Sequence, residues 1–344
     1  MASEADKKNV DGARDAWARA HVVPLWETGV HRAEREAAPG RIWRWRDLRP
    51  LIEQACAITD TRQAERRVLA LSDPASTAGR RTVTNLNANF QILMPGETAR
   101  PHRHSPNALR FVVEGGGGVT VVDGKRCPME HGDLVITPAW SWHEHRHEGE
   151  GPLIWLDALD VPLHQYLGAA FFEPGPANDL PAMQPDEAFA QAGMAPQRET
   201  PARDYSPLFR FARADWARAL AAAPADADEA RRMRFFNPRN GGPILSLMEC
   251  AMLRLAPHRP TATHRTTANA VFIVVEGAGR TRVGDHTFVW ERNDVVTMPG
   301  GNWISHEARD ADATLFCISD QPVLERLGLF RMERGAASEA DGVR

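Results

Sequence analysis

From about residue 65 the chain alternates apolar and polar residues in short runs, the period-two pattern of strands with one face turned to a core. In the first half the runs are 66–71, 81–85, 88–94, 109–113, 118–122, 134–137 and 152–157. Turns rich in Gly, Pro and Asp separate them, at Pro95-Gly96, Asp123-Gly124 and His131-Gly132-Asp133. Many short strands at this spacing predict a sandwich or barrel. Upstream the pattern is helical, irregularly from Ala13 to Ala37 and then regularly. Leu48, Leu51, Ile52, Ala55 and Cys56 follow i, i+3, i+4 spacing, with Asp47 placed as the cap and Pro50 in the first turn. Between these, Arg41 to Arg46 alternates as a short strand, and residues 1 to about 12 read as disordered.

The second half echoes the first. Ala270-Val271-Phe272-Ile273-Val274-Val275-Glu276-Gly277 repeats the pattern of Ala108-Leu109-Arg110-Phe111-Val112-Val113-Glu114-Gly115, at an offset of 162. Asn293 to Pro299 repeats Gly132 to Pro138 at an offset of 161. This predicts a duplicated β-barrel unit. The expected organisation is a helical arm (1–64), a first barrel (65–173), a Pro- and Ala-rich linker with a short helix (174–230), a second barrel (231–320) and a tail (321–344).

Composition narrows the function. The chain has 344 residues, 43% hydrophobic and 25% charged, with a net charge of −4. No basic block is long enough to follow a phosphate backbone, so no nucleic-acid partner is expected. No apolar run is long enough to span a membrane. The polar N-terminus and four scattered cysteines (Cys56, Cys127, Cys250, Cys317) predict a cytoplasmic protein with reduced thiols.

The candidate chemistry lies at Pro101-His102-Arg103-His104. Residues i and i+2 of a strand share a face, so two imidazoles stand side by side. A later strand, Trp142-His143-Glu144-His145, can return a third. Three imidazoles on one side leave the opposite positions of a metal open. In the second unit His264 stands at the place of His102, but Thr266 and Ile304 stand at the places of His104 and His143, and His306 is out of phase. No metal is expected there. His147 reads as a solvated loop residue, and of the adjacent Arg66 and Arg67 one is expected to point outward.

The motifs carry a resemblance. Trp43-Arg44-Trp45, Ala64-Glu65-Arg66-Arg67-Val68-Leu69, Pro95-Gly96-Glu97, His102-Arg103-His104, Asn107-Ala108-Leu109-Arg110-Phe111, Trp140-Ser141-Trp142-His143-Glu144-His145 and Ile154 to Asp160 occur in this order. Together they resemble the gentisate 1,2-dioxygenase and salicylate 1,2-dioxygenase family. The resemblance implies an all-β bicupin with N-terminal helices, two tandem jelly-roll cupin domains, and assembly as a homotetramer. It implies Fe(II) held by His102, His104 and His143. It also implies a substrate pocket of Arg66, Gln91, Arg110, His145 and Asp157. Arg66 and Arg110 would hold the carboxylate of an aromatic acid, and Asp157 or His145 would act as base. The implied reaction inserts O2 between the carboxylate-bearing and hydroxyl-bearing carbons of gentisate or a related salicylate.

Ala108 and Leu109 stand where other cupins place a glutamate ligand, which fits a three-histidine site. Asn87 and Asn89 replace the family's usual aromatic and glycine on the Gln91 face, which admits a differently substituted salicylate. Two other readings are a non-catalytic binding or storage bicupin, and a metal-dependent isomerase or decarboxylase.

Overall fold

The computed structural model describes residues 4–27, 37–76, 80–175, 185–191, 194, 196–197 and 204–335, in two compact units, Met1–Ala37 and Ala38–Arg344. In the first unit α1 (Glu4–Arg19) precedes a short turn, Leu25–Glu27. Trp17 meets Trp26 edge-on at 5.9 Å, and Arg14 bonds Glu27 at 3.0 Å. The expected disorder of residues 1–12 is therefore corrected from Glu4 onward. Ala, Lys, Glu and Arg sustain a helix there through backbone propensity, without an apolar stripe to announce it. Residues 28–36 of the expected helical arm lie outside the described residues.

In the second unit a short strand, β1 (Ile42–Trp43), leads into α2 (Trp45–Ile58) and α3 (Thr61–Ala64). The first barrel follows, with β2 (Arg67–Leu71), β3 (Asn87–Leu93), β4 (Thr98–His104), β5 (Ala108–Glu114), β6 (Gly118–Val122), β7 (Lys125–Met129), β8 (Leu134–Thr137), β9 (His143–His147), β10 (Leu153–Leu159), α4 (Val161–Tyr166), β11 (Phe172–Pro174) and β12 (Arg210–Phe211). Its two sheets run β12-β8-β5-β10-β3-β2 and β11-β4-β9-β6-β7. Residues 81–85, expected as a strand, make only an isolated bridge from Val83 to Leu86.

After α5 (Arg213–Ala222), the second barrel comprises β13 (Arg231–Arg234), β14 (Glu249–Leu255), β15 (His264–Thr266), β16 (Ala270–Glu276), β17 (Ala278–Val283), β18 (His286–Glu291), β19 (Val295–Met298), β20 (Ile304–Ala308), β21 (Ala313–Ser319), α6 (Gln321–Arg326) and β22 (Met332–Arg334). Its sheets run β1-β19-β16-β21-β14-β13 and β18-β17-β20-β15-β22.

The duplication extends to single hydrogen bonds. Asn107 donates its backbone N–H and its amide to Asp160, each at 2.8 Å. Asn269 does the same to Asp320, each at 2.7 Å. Gly115 (φ 86°) and Gly277 (φ 83°) close equivalent turns. A Cβ at either would fall within 2.7 Å of a carbonyl oxygen, so glycine is required at both.

The two six-stranded sheets pack back to back. Their outer faces share one core in which Phe111 stacks on Phe316 at 4.5 Å, with both rings buried. The connections are crossed: β1 comes from the N-terminal side yet pairs with β19 of the second barrel, while β12 pairs with β8 of the first. Each helix that follows is capped by an aspartate from the barrel its strand has joined. Trp45 N–H donates to Asp294 at 2.7 Å, and Arg213 N–H to Asp133 at 2.9 Å. Asp47 is thus not the cap of α2 but lies within it, as does Pro50.

Replacing Phe316 with alanine removes half of the stacked pair and leaves a cavity between the barrels. A loss of about 3–5 kcal/mol is expected, read as a lower midpoint in chemical denaturation.

Candidate active site

The inner face of the first barrel is polar where a barrel core is normally apolar. His102 and His104 lie two apart on β4, and β9 pairs beside it with His143 directly opposite His102. The rings of His102 and His143 are 4.1 Å apart, and those of His104 and His143 are 4.8 Å apart. One ligand nitrogen from each of the three lies within 4.8 Å of the others, and all three residues are buried.

The tautomers follow from the partners. His102 Nδ1 meets the Arg100 carbonyl at 2.8 Å, His104 Nδ1 the Pro106 carbonyl at 2.7 Å, and His143 Nδ1 the Ser141 carbonyl at 2.9 Å. A carbonyl only accepts, so each Nδ1 carries its proton and each Nε2 keeps a lone pair. Burial is the main cause that lowers all three imidazoles: His102 to about 3, His104 to about 4, and His143 well below its usual value. The ligand set is therefore neutral at physiological pH. His143 Nε2 is buried without a hydrogen-bond partner. Three converging neutral donors, one of them otherwise orphaned, fit a divalent metal.

His145 stands next to this group, not in it. Its ring lies 5.8 Å from that of His143, its Nδ1 is 2.7 Å from Thr120 Oγ1, and its Nε2 is buried without a partner. His147 is corrected from a solvated loop residue. It is buried at the end of β9, where Nε2 meets the Gly151 carbonyl at 2.6 Å.

The opposite wall comes from β3, β10 and β5. Register places Asn89, Asp157 and Arg110 in one row across these strands, and Gln91 beside Trp155 in the next. Arg110 and Asp157 are both buried, with Nε and Oδ1 3.3 Å apart. Arg110 also donates to Thr137 Oγ1. Trp155 Nε1 donates to Asp157 at 2.9 Å. Burial pushes the Asp157 carboxyl up to about 6, against the opposing pull of Arg110 and the indole. Asn87 and Asn89 are half-buried on the same face, and Gln91 is buried.

Arg66 enters from the barrel edge. Glu65 adopts φ 59° just before it, a left-handed kink that redirects the chain. The Arg66 guanidinium lies 4.8 Å from the Phe172 ring, and its Nη1 donates to His102 Nε2 at 3.2 Å. Arg67 does not point outward either. It is buried against Glu97, at 2.8 and 2.9 Å, and against the Thr59 carbonyl. The barrel thus sets His102, His104, His143 and His145 on β4 and β9, with Arg66 against His102, and Gln91, Arg110 and Asp157 on the facing strands β3, β5 and β10.

Sequence reading missed Thr120, Thr137, Trp155 as a donor to Asp157, and Phe172. Thr120 had a signal, a lone polar residue inside the apolar run 118–122. Phe172 had none.

The second barrel repeats part of this arrangement. His306 Nδ1 meets Thr281 Oγ1 at 2.8 Å, the same pair as His145 with Thr120. His306 is therefore the counterpart of His145, which explains why it was out of phase with His143. Among the described residues, His102, His104 and His143 are the group of three placed to hold a metal.

Two back-to-back jelly-roll barrels with a three-histidine centre in the first define a metal-dependent bicupin. Comparison with known proteins agrees. The family model described as Cupin domain matches residues 89–159. A 5-aminosalicylate 1,2-dioxygenase from Comamonas sp is 35% identical over 98% of this chain and 93% of its own length. A gentisate 1,2-dioxygenase from Aquipseudomonas alcaligenes is 35% identical over 91% of this chain and 93% of its own. The solved salicylate 1,2-dioxygenase of Pseudoaminobacter salicylatoxidans, in adducts with gentisate, superposes with a TM-score of 0.90 at 30% identity. That match covers 98% of this chain and 96% of the other. The chain belongs to the gentisate and salicylate 1,2-dioxygenase family of ring-cleaving enzymes. Among the described residues no helix is long and apolar enough to cross a membrane.

Proposed function

We propose that the protein is an Fe(II)-dependent dioxygenase. It opens the ring of gentisate or a related salicylate between the carboxylate-bearing and hydroxyl-bearing carbons. The observation that carries this reading is the three-histidine centre facing a buried arginine and a carboxylate inside one barrel. His102, His104 and His143 would hold the iron through Nε2. Iron bound there supplies the electron relay between an electron-rich ring and dioxygen.

The chain's own residues do the rest. Arg66 and Arg110 present guanidinium forks that suit the substrate carboxylate. Metal binding claims the His102 lone pair, so Arg66 must exchange that hydrogen bond for another acceptor, and an aromatic carboxylate is one. His145 Nε2 and Asp157 stand ready to take the proton of the ring hydroxyl. The buried indole of Trp155 helps to exclude water and to fix the ring's orientation. The reading includes a cytoplasmic location, supported by four free cysteines, and the homo-oligomeric assembly that the family resemblance implies.

Turnover under labelled dioxygen tests the reaction. Both oxygen atoms are expected in an open-chain oxo diacid. Consumption without dioxygen would favour an isomerase or decarboxylase, and no consumption by metal-loaded protein would favour a binding protein.

The base is testable by pH. Asp157 is ionised only above about 6, so an Asp157 base gives full kcat/KM above that value. The loss below it should be about tenfold per pH unit. The acid limb should vanish in Asp157→Asn. If it persists unchanged in that variant, the proton goes elsewhere.

A further inference from the structure

Three side-chain amides line the inner face of β3: Asn87, Asn89 and Gln91. Their neighbours Ala88, Phe90 and Ile92 point the other way, into the core between the barrels. Asn87 Oδ1 and Gln91 Nε2 are shut off from solvent and have no hydrogen-bond partner. A buried amide group left unpaired costs stability unless something completes it, so this row is built for a ligand. The two orphans are of opposite kind: Gln91 offers a donor and Asn87 an acceptor. They lie at opposite ends of the row, with Asn89, level with Arg110 and Asp157, between them.

We infer that Asn87 selects substrates whose ring carries an N–H or O–H donor on the edge away from the carboxylate. This rests on the ring-cleaving reading above. The ring sits between the metal-ligand histidines on β4 and β9 and the β3 wall. Its carboxylate and adjacent hydroxyl are engaged by the arginines and the metal centre. Arg110 stands level with Asn89 on this same wall, so a ring held by its carboxylate extends along β3 to Asn87, whose Oδ1 accepts from an amino or hydroxyl group on the far edge. A halogen in the same place leaves Oδ1 unpaired. A nitro group sets acceptor against acceptor. Sites built to bond a polar group reject analogues lacking it far better than apolar pockets reject size changes.

The test compares kcat/KM, and anaerobic equilibrium binding to iron-loaded protein, for 5-aminosalicylate, gentisate, 5-chlorosalicylate and 5-nitrosalicylate. The amino and hydroxyl compounds are expected to lead the chloro and nitro compounds by at least about tenfold in both measures. Asn87→Leu should collapse that ratio. Asn87→Asp, which keeps the acceptor and the shape, should retain it. Equal use of all four compounds, a lead for the chloro or nitro compound, or an unchanged ratio in Asn87→Leu would overturn the role of Asn87 and leave ring cleavage standing. Oxygen uptake with none of them would overturn both.

Discussion

Replacing His104 with alanine is expected to remove bound metal and turnover together, with kcat/KM falling by at least about a thousandfold. His104 is one of three donors, and two imidazoles hold a divalent ion far more weakly than three. Its Nδ1 also bonds the Pro106 carbonyl, which fixes the ring and the tautomer. The loss should therefore appear first as metal content, read by elemental analysis of dialysed protein. His264→Ala in the second barrel is the matched control and is expected to leave metal content unchanged. A His104→Ala protein with full metal and full turnover would remove His104 from the centre.

Arg110→Met is expected to damage both stability and turnover. The guanidinium is buried with Asp157 and Thr137 as its partners. Removing it leaves a carboxyl buried without its cation, and breaking a buried pair from one side costs about 3–5 kcal/mol. The sign with pH follows from Asp157. Its folded value is already raised to about 6, and losing Arg110, which pulls it down, raises it further. The ionised form is then disfavoured in the folded state, so the variant should be least stable above pH 6 and recover part of its deficit at lower pH. Denaturant midpoints at two pH values check this. Arg110→Met with Asp157→Leu should regain stability, because no buried charge remains, and should not regain turnover. The carboxylate clamp is gone in both, and a loss of about a hundredfold or more in kcat/KM is expected.

The part of the site set by local spacing was legible in the sequence. His102 and His104 share a face because a strand has period two. The offsets of 162 and 161 exposed the duplicated barrel before any strand was paired. Contacts set across the chain were not legible. Ile42 and Trp43 look like any short strand, and nothing in them says that they join the second barrel while Arg210 and Phe211 join the first. Asp47 is a better local cap than Asp294, yet Asp294 is the one that reaches the helix. Alignment set Ile304 against His143 and left His306 out of phase, and only the Thr281 partner reveals His306 as the match of His145. His147 looked solvated because charged residues surround it, but it closes a turn from inside.

Iron titration of metal-free protein, with oxygen uptake followed in the same samples, tests the three-histidine centre most directly. Uptake on gentisate or a substituted salicylate should rise in proportion to bound Fe(II) and stop at about one iron per chain, with one dioxygen consumed per substrate. Full uptake without iron, or uptake that survives loss of the His102, His104 and His143 ligands, would contradict it.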